Sequence, residues 1–206
     1  MSSPSDYATL PPELSTILGG ETQDFMIKAQ KAYPSGQSMG MIGFGLFWTL
    51  FISVFWIAFF GPLFTGHEVH FKSNGVPVTA GPENMGPLLV PGLIIVIFTI
   101  IGITMLAGGF KMLGAPGPWF VATPTRLLVW TPNQLRTINW EDFDGNLSVD
   151  GGRDNGTITI EMRSGHMVSQ KNAPDRYVPD KIYIVGVPNA LALEELCRKR
   201  INEHNK

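Results

Sequence analysis

The sequence predicts a membrane α+β protein: a two-helix transmembrane hairpin followed by a seven-stranded antiparallel barrel or sandwich with a C-terminal helix. Three observations carry this reading. Two long stretches, 39–64 and 88–110, contain no ionisable side chain. Residues 115–206 break into short apolar runs separated by Gly, Pro and Asn turns. From Ala190 onward, apolar residues recur at helical spacing.

Residues 1–38 form an N-terminal arm, set on the cytoplasmic side. Its Pro- and Ser-rich beginning has too little apolar content to fold alone. The stretch 21–32 reads as a short interfacial helix with Phe25, Met26 and Ala29 facing inward. The arm carries Asp6, Glu13, Glu21 and Asp24 against Lys28 and Lys31. A secretory signal opens with a short basic start and a shorter apolar run, so the first span is expected to stay in the mature chain.

The first transmembrane helix is set at 39–64, where Thr49 and Ser53 are the only hydroxyls, and the second at 88–113, with Thr99 and Thr104. At about 1.5 Å rise per residue, the two uncharged stretches would reach roughly 39 and 34 Å, against about 30 Å of hydrocarbon. Neither stretch holds a histidine for a haem or chlorophyll, nor the acids and bases of an ion pathway. Gly40, Gly43 and Gly45, and Thr104 with Gly108, would admit the close approach of another helix.

The loop 65–87 between the spans reads as extracytoplasmic. Val69, Phe71, Val76 and Val78 flank Asn74-Gly75, a two-residue hairpin turn, and Pro77 marks an edge strand. His67-Glu68-x-His70 has metal-ligating residue types, but at strand spacing they do not all point one way. Orientation follows from basic residues: Lys28, Lys31 and Lys111 flank the spans on one side and Lys72 lies alone on the other. Both termini are therefore expected in the cytoplasm.

Residues 114–206 form the cytoplasmic domain, entered through the stiff elbow Gly114-Ala-Pro-Gly-Pro118. Seven strands are expected at 119–123, 126–130, 135–140, 146–150, 157–162, 166–170 and 181–185. Ser164-Gly165 turns the chain between the fifth and sixth. Asn189 caps the last helix, whose apolar face carries Leu193, Leu196, Cys197 and Ile201.

Several motifs resemble those of the bacterial pleckstrin-homology-like (bacterial PH) domains that follow a pair of membrane helices. These are Trp119-Phe120-x-x-Thr123-x-x-Arg126-Leu127, Ile138-x-Trp140-x-Asp142-Phe143, Gly156-Thr-Ile-x-Ile160 and Val187-Pro188-Asn189. Residues 21–36, ending in Tyr33-Pro34-Ser35, are similar to that family's polar lead-in. The resemblance implies a PH-like fold in a protein of the bacterial cytoplasmic (inner) membrane, adaptor-like and often self-associating. Phosphoinositide binding in the wider fold uses clustered cations, whereas residues 115–206 carry eleven basic and eleven acidic side chains.

Composition narrows the function classes. The 206 residues hold 15 Lys and Arg against 17 Asp and Glu, and a net charge of −2 gives no field favouring nucleic acid. One cysteine, Cys197, excludes an internal disulfide framework and cysteine-rich metal clusters. Asp142-x-Asp144-x-Asn146 starts like a calcium loop but lacks its sixth-position Gly and twelfth-position Glu. Gly43-x-Gly45 lies inside a span, and Ser164 with His166 has no orienting acid in sequence. No catalytic residue, metal or cofactor is assigned.

The expected function is a non-catalytic accessory or scaffold subunit of a membrane assembly. Its partners would be other integral membrane proteins, or further copies of itself, and the lipid bilayer. Lys111, Trp119, Phe120 and Arg126 are its expected membrane-interface or partner contacts. The alternatives are a lipid-sensing PH-like module and an enzyme with an unrecognised site.

Overall fold

The computed structural model describes residues 12–152, 155–171 and 173–205. In chain order its elements begin with α1 (Pro12–Leu18), β1 (Phe25–Lys28), α2 (Ser35–Phe64), β2 (Val69–Ser73), β3 (Val76–Ala80) and α3 (Leu89–Gly114). There follow β4 (Trp119–Ala122), β5 (Arg126–Thr131), β6 (Gln134–Asn139), β7 (Phe143–Gly152), β8 (Asn155–Gln170), β9 (Ala173–Val187) and α4 (Ala190–His204). The fold is mixed α+β in two compact units: residues 35–114, and the flanking residues before and after them.

In the unit of residues 35–114, α2 and α3 are each long and apolar enough to cross a membrane. Proline sits at their ends. Pro91 lies in the first turn of α3, where its missing N–H has no helical partner to lose. The carbonyl of Pro62 closes α2 by accepting the N–H groups of Thr65 and His67. The seam between the helices is tight where side chains are absent. A Cβ on Gly109 would stand 2.6 Å from the Ile42 side chain and 3.1 Å from its backbone nitrogen. Two indoles cross the seam: Trp48 Nε1 donates to the Phe98 carbonyl at 3.0 Å, and Trp56 Nε1 to the Thr99 hydroxyl at 2.9 Å. The hydroxyls of Thr49, Ser53 and Thr104 donate to carbonyls of their own helix, so they need no outside partner.

Strands β2 and β3 form a separate antiparallel pair. Asn74 and Gly75, at φ +50° and +82°, make the expected two-residue turn, and Pro77 pairs opposite Lys72 in this two-stranded ladder.

The other unit contains a four-stranded sheet, β1-β4-β5-β6, and a three-stranded sheet, β7-β8-β9, with all pairs antiparallel. One core joins them. Phe120, Leu127 and Ile138 come from the first sheet, Phe143, Ile158, Ile160 and Ile184 from the second, and Cys197 and Ile201 from α4. Trp140 fills the corner after β6, fully buried, and its indole donates to the Thr123 carbonyl at 2.9 Å. Thr123 is also buried, and its hydroxyl accepts the Arg126 N–H across the β4–β5 turn. That geometry accounts for the threonine, while residue 126 contributes only backbone groups to it.

The N-terminal arm corrects the sequence reading. No helix covers 21–32; Phe25–Lys28 is a strand paired with Trp119–Ala122. Phe25 and Ile27 pack against the main core while Met26 packs against the opposite sheet face, a period of two rather than 3.6. Beyond β1, Ala29 N–H bonds Pro118, Gln30 N–H bonds Val185 in the other sheet, and Ala32 N–H bonds Ala115. The helix lies earlier, at Pro12–Leu18.

Three further expectations change. Among the described residues, the region after residue 114 holds six strands, and the arm supplies the seventh of this unit. Ser164-Gly165 is not a turn, because β8 runs through it and pairs with β9 from Gly156 to Gln170. Gly165 instead marks a register shift, with the Tyr177 ring and the Val178 carbonyl where a side chain would go. Asn189 stands at the start of α4 in the left-handed region, φ +51°, with no side-chain cap; its carbonyl accepts the N–H groups of Ala192 and Leu193.

Candidate interaction surfaces

The four expected contact residues separate. Lys111 lies exposed in the last turn of α3, where a cation complements the negative end of the helix dipole. Trp119 is half-buried on the outer face of the four-stranded sheet, and Lys28 Nζ stands 5.8 Å from its ring centroid. Phe120 must be removed from the contact set, because it is 1% exposed in the core. Adjacent strand residues face opposite sides, so Trp119 and Phe120 cannot serve one surface. Arg126 is paired: Nη2 donates to Glu21 at 2.8 Å.

The outer sheet face is a surface that sequence reasoning misses. Val121 and Leu128 are fully buried there, though they point away from the main core. Leu14 and Leu18 of α1 cover them, with Met26, Trp119 and Trp130 packed at the margin. The unbroken apolar runs 119–122 and 127–130 carry the signal for it, since a strand buried on both faces does not alternate.

In the helical unit, Trp48, Phe51, Phe55, Ile94 and Phe98 line a wholly apolar groove of about 160 Å³ between α2 and α3. Elsewhere along both helices large apolar side chains face outward, among them Phe47, Leu50, Leu89 and Leu93.

The polar motifs are engaged locally. His67 Nδ1 lies 2.9 Å from the Thr65 hydroxyl, and His70 Nδ1 lies 3.0 Å from the Thr79 hydroxyl. Among the described residues no three His, Cys, Asp or Glu side chains gather as a metal site. An acid does stand beside Ser164 and His166: Ser164 Oγ donates to Asp180 at 2.9 Å, and His166 Nδ1 lies 3.9 Å from the same carboxylate. The order is wrong for a nucleophilic triad, because the carboxylate rather than the imidazole contacts the hydroxyl.

Arg200 and Cys197 of α4 are tied into the fold. Arg200 forks onto both oxygens of Asp24 at 2.6 and 2.7 Å and also reaches Glu203, and these hydrogen bonds raise its pKa further. Burial pushes the Cys197 thiol up to about 12, aided by the negative charges of Glu194 and Asp24, so it stays protonated and inert at neutral pH.

Comparison of the chain with protein-family models, with curated proteins and with solved structures finds no match.

Proposed function

We propose that this chain is a two-pass integral membrane protein with a PH-like domain, and that it serves as a non-catalytic accessory or scaffold subunit of a larger membrane assembly. One observation carries the proposal: α2 and α3 present uncharged, outward-facing apolar side chains along their lengths, including Phe47 at 64% and Leu50 at 68% exposure. Such surfaces are stable against lipid or against other apolar helices, not against water.

Topology supports the same reading. The chain leaves the sheet unit at Pro34 and re-enters at Ala115, and the Ala32 N–H bonds the Ala115 carbonyl at 3.1 Å. A chain that departs and returns at one place has crossed an even number of times. With Lys28, Lys31 and Lys111 beside the spans, both termini fall in the cytoplasm. The bacterial inner membrane follows from the family resemblance. The four-plus-three strand arrangement with a C-terminal helix supports the PH-like reading, with one strand drawn from the arm.

The test is purification of the full chain from its native membranes in mild detergent, followed by identification of what comes with it. Stoichiometric recovery of another membrane protein, or of a defined oligomer, is expected. Recovery only as a lone monomer overturns the proposal.

A further inference from the structure

The outer face of the four-stranded sheet is covered by a short helix from the N-terminal arm. Leu14 and Leu18 of α1 seat on Val121 and Leu128, and are 0% and 3% exposed. They stand four residues apart, so one face of the helix carries both. α1 has seven residues, fewer than an isolated helix needs to persist in water, so its helical form depends on being seated. Immediately after it, Gly19 and Gly20 adopt φ +51° and +92°, and nothing stands within 4 Å of a Cβ built at Gly20. From the next residue the chain is held: Glu21 pairs with Arg126, and Asp24 with Arg200. The Glu21 N–H donates to the Leu18 carbonyl at 2.7 Å across the two glycines, so this tight turn and the fixed point are adjacent in sequence.

The structure assigns the outer sheet face as a helix-docking surface, with α1 as its resident and exchangeable occupant. The incoming partner is a short amphipathic helix with aliphatic side chains at i and i+4. Its chemistry is set by what is already seated there: two leucines one turn apart, with Glu13 and Ile17 of α1 left exposed. Contact is through the sheet face, so strand addition at an edge is not the mode. The scaffold reading supplies the purpose, a partner helix displacing α1. The inference rests on that reading for its use and not for its geometry.

The experiment uses the full chain in lipid nanodiscs, wild type and the Leu14→Asp/Leu18→Asp variant. The probe is a fluorescent peptide of residues 10–20, with a control peptide carrying the same two aspartates, and empty nanodiscs give the lipid background. Tethered α1 competes at an effective concentration on the order of millimolar, so the wild-type peptide should bind the variant at least about tenfold more tightly than the wild-type chain. The control peptide should bind neither. Equal binding to both chains, or to neither, overturns the inference.

A second variant guards against misfolding: a protease site between Gly19 and Gly20, cut after folding. Exchange of the cut α1 for labelled peptide, with the thermal transition of the sheet unit retained, is expected. Loss of that transition on cutting would make α1 an integral core element and overturn the inference. A lipid-borne quencher that reaches Trp119 and Trp130 of the aspartate variant but not of the wild type, with no protection by peptide, would make the bilayer the occupant and overturn it as well. A failed copurification leaves these binding results unchanged, so the two readings fail separately.

Discussion

Phe47 and Leu50 on α2 are 64% and 68% exposed, whereas Phe120 and Leu128 in the sheet unit are 1% and 0% exposed. The residue types are alike and the placement is opposite. A water-soluble unit gains stability by turning such groups inward, at roughly 25 cal/mol per Å² of apolar surface. The other unit turns them outward along two helices long and apolar enough to cross a membrane. Under the proposed membrane reading the same kind of substitution should act through different physics in each unit.

The largest effect belongs to the sheet unit. Trp140→Ala removes a fully buried indole and leaves the Thr123 carbonyl without its donor. It should cost about 3–5 kcal/mol and abolish or sharply lower the thermal transition of that unit, read by tryptophan fluorescence and circular dichroism. Membrane association should survive it.

Next is the converse change in the helices. Leu50→Arg places a charge near the middle of α2 on an outward face, where insertion should lose about 3 kcal/mol. Carbonate extraction of membrane vesicles should then release a larger fraction of the chain. Unchanged retention would mean that this face does not meet lipid.

The arm belongs to the sheet unit although the helices separate it in sequence. Asp24→Asn keeps the shape and removes the charge that accepts the Arg200 fork. The expected loss is about 1.5–3 kcal/mol, measured as a lower midpoint for the sheet unit.

How much of this could be read from the sequence depends on the range of the interaction. The two apolar helices, the Asn74-Gly75 hairpin and the amphipathic α4 are local patterns, visible at their own period. β1 and α1 are not local. Phe25–Lys28 is too short to declare itself, and its partner Trp119–Ala122 lies far along the chain, beyond both helices. The same distance hides the Asp24–Arg200 and Glu21–Arg126 pairs. Trp119 and Phe120 stand out together as aromatics, but their separation onto opposite faces needs the strand and its covers. At Gly165 a glycine that makes room for Tyr177 reads as a turn, since sequence does not distinguish a bulge from a bend.

Alkaline pH offers a smaller and graded probe. The Cys197 thiol has its pKa raised from 9.0 to about 12 by burial, so the unfolded thiol loses its proton before the folded one does. Above pH 9 the unfolded state binds fewer protons, and stability falls as pH rises through that window; below it the group contributes no slope. At pH 10 the loss should be about 1.4 kcal/mol relative to pH 8. Native protein should resist a thiol reagent at pH 8 and react on unfolding.

The smallest effect tests a charge pair on the sheet surface. Lys181 Nζ lies 2.7 Å from Glu161, its direct cross-strand neighbour in the β8–β9 ladder, and this hydrogen bond raises the lysine pKa. A raised lysine pKa means that the folded state holds its proton longer. The contribution is complete below the unfolded value and is lost as pH climbs through the higher folded one, well above neutrality. The lysine side chain is 36% exposed, so water and salt screen the pair. Lys181→Met should therefore cost under about 1 kcal/mol in low salt, and the difference from wild type should shrink in 1 M salt. A loss of several kcal/mol, or one that salt does not diminish, would show that the stem of Lys181 rather than its charge supports β9. The outward face of the sheet unit would then depend on packing, as its core does.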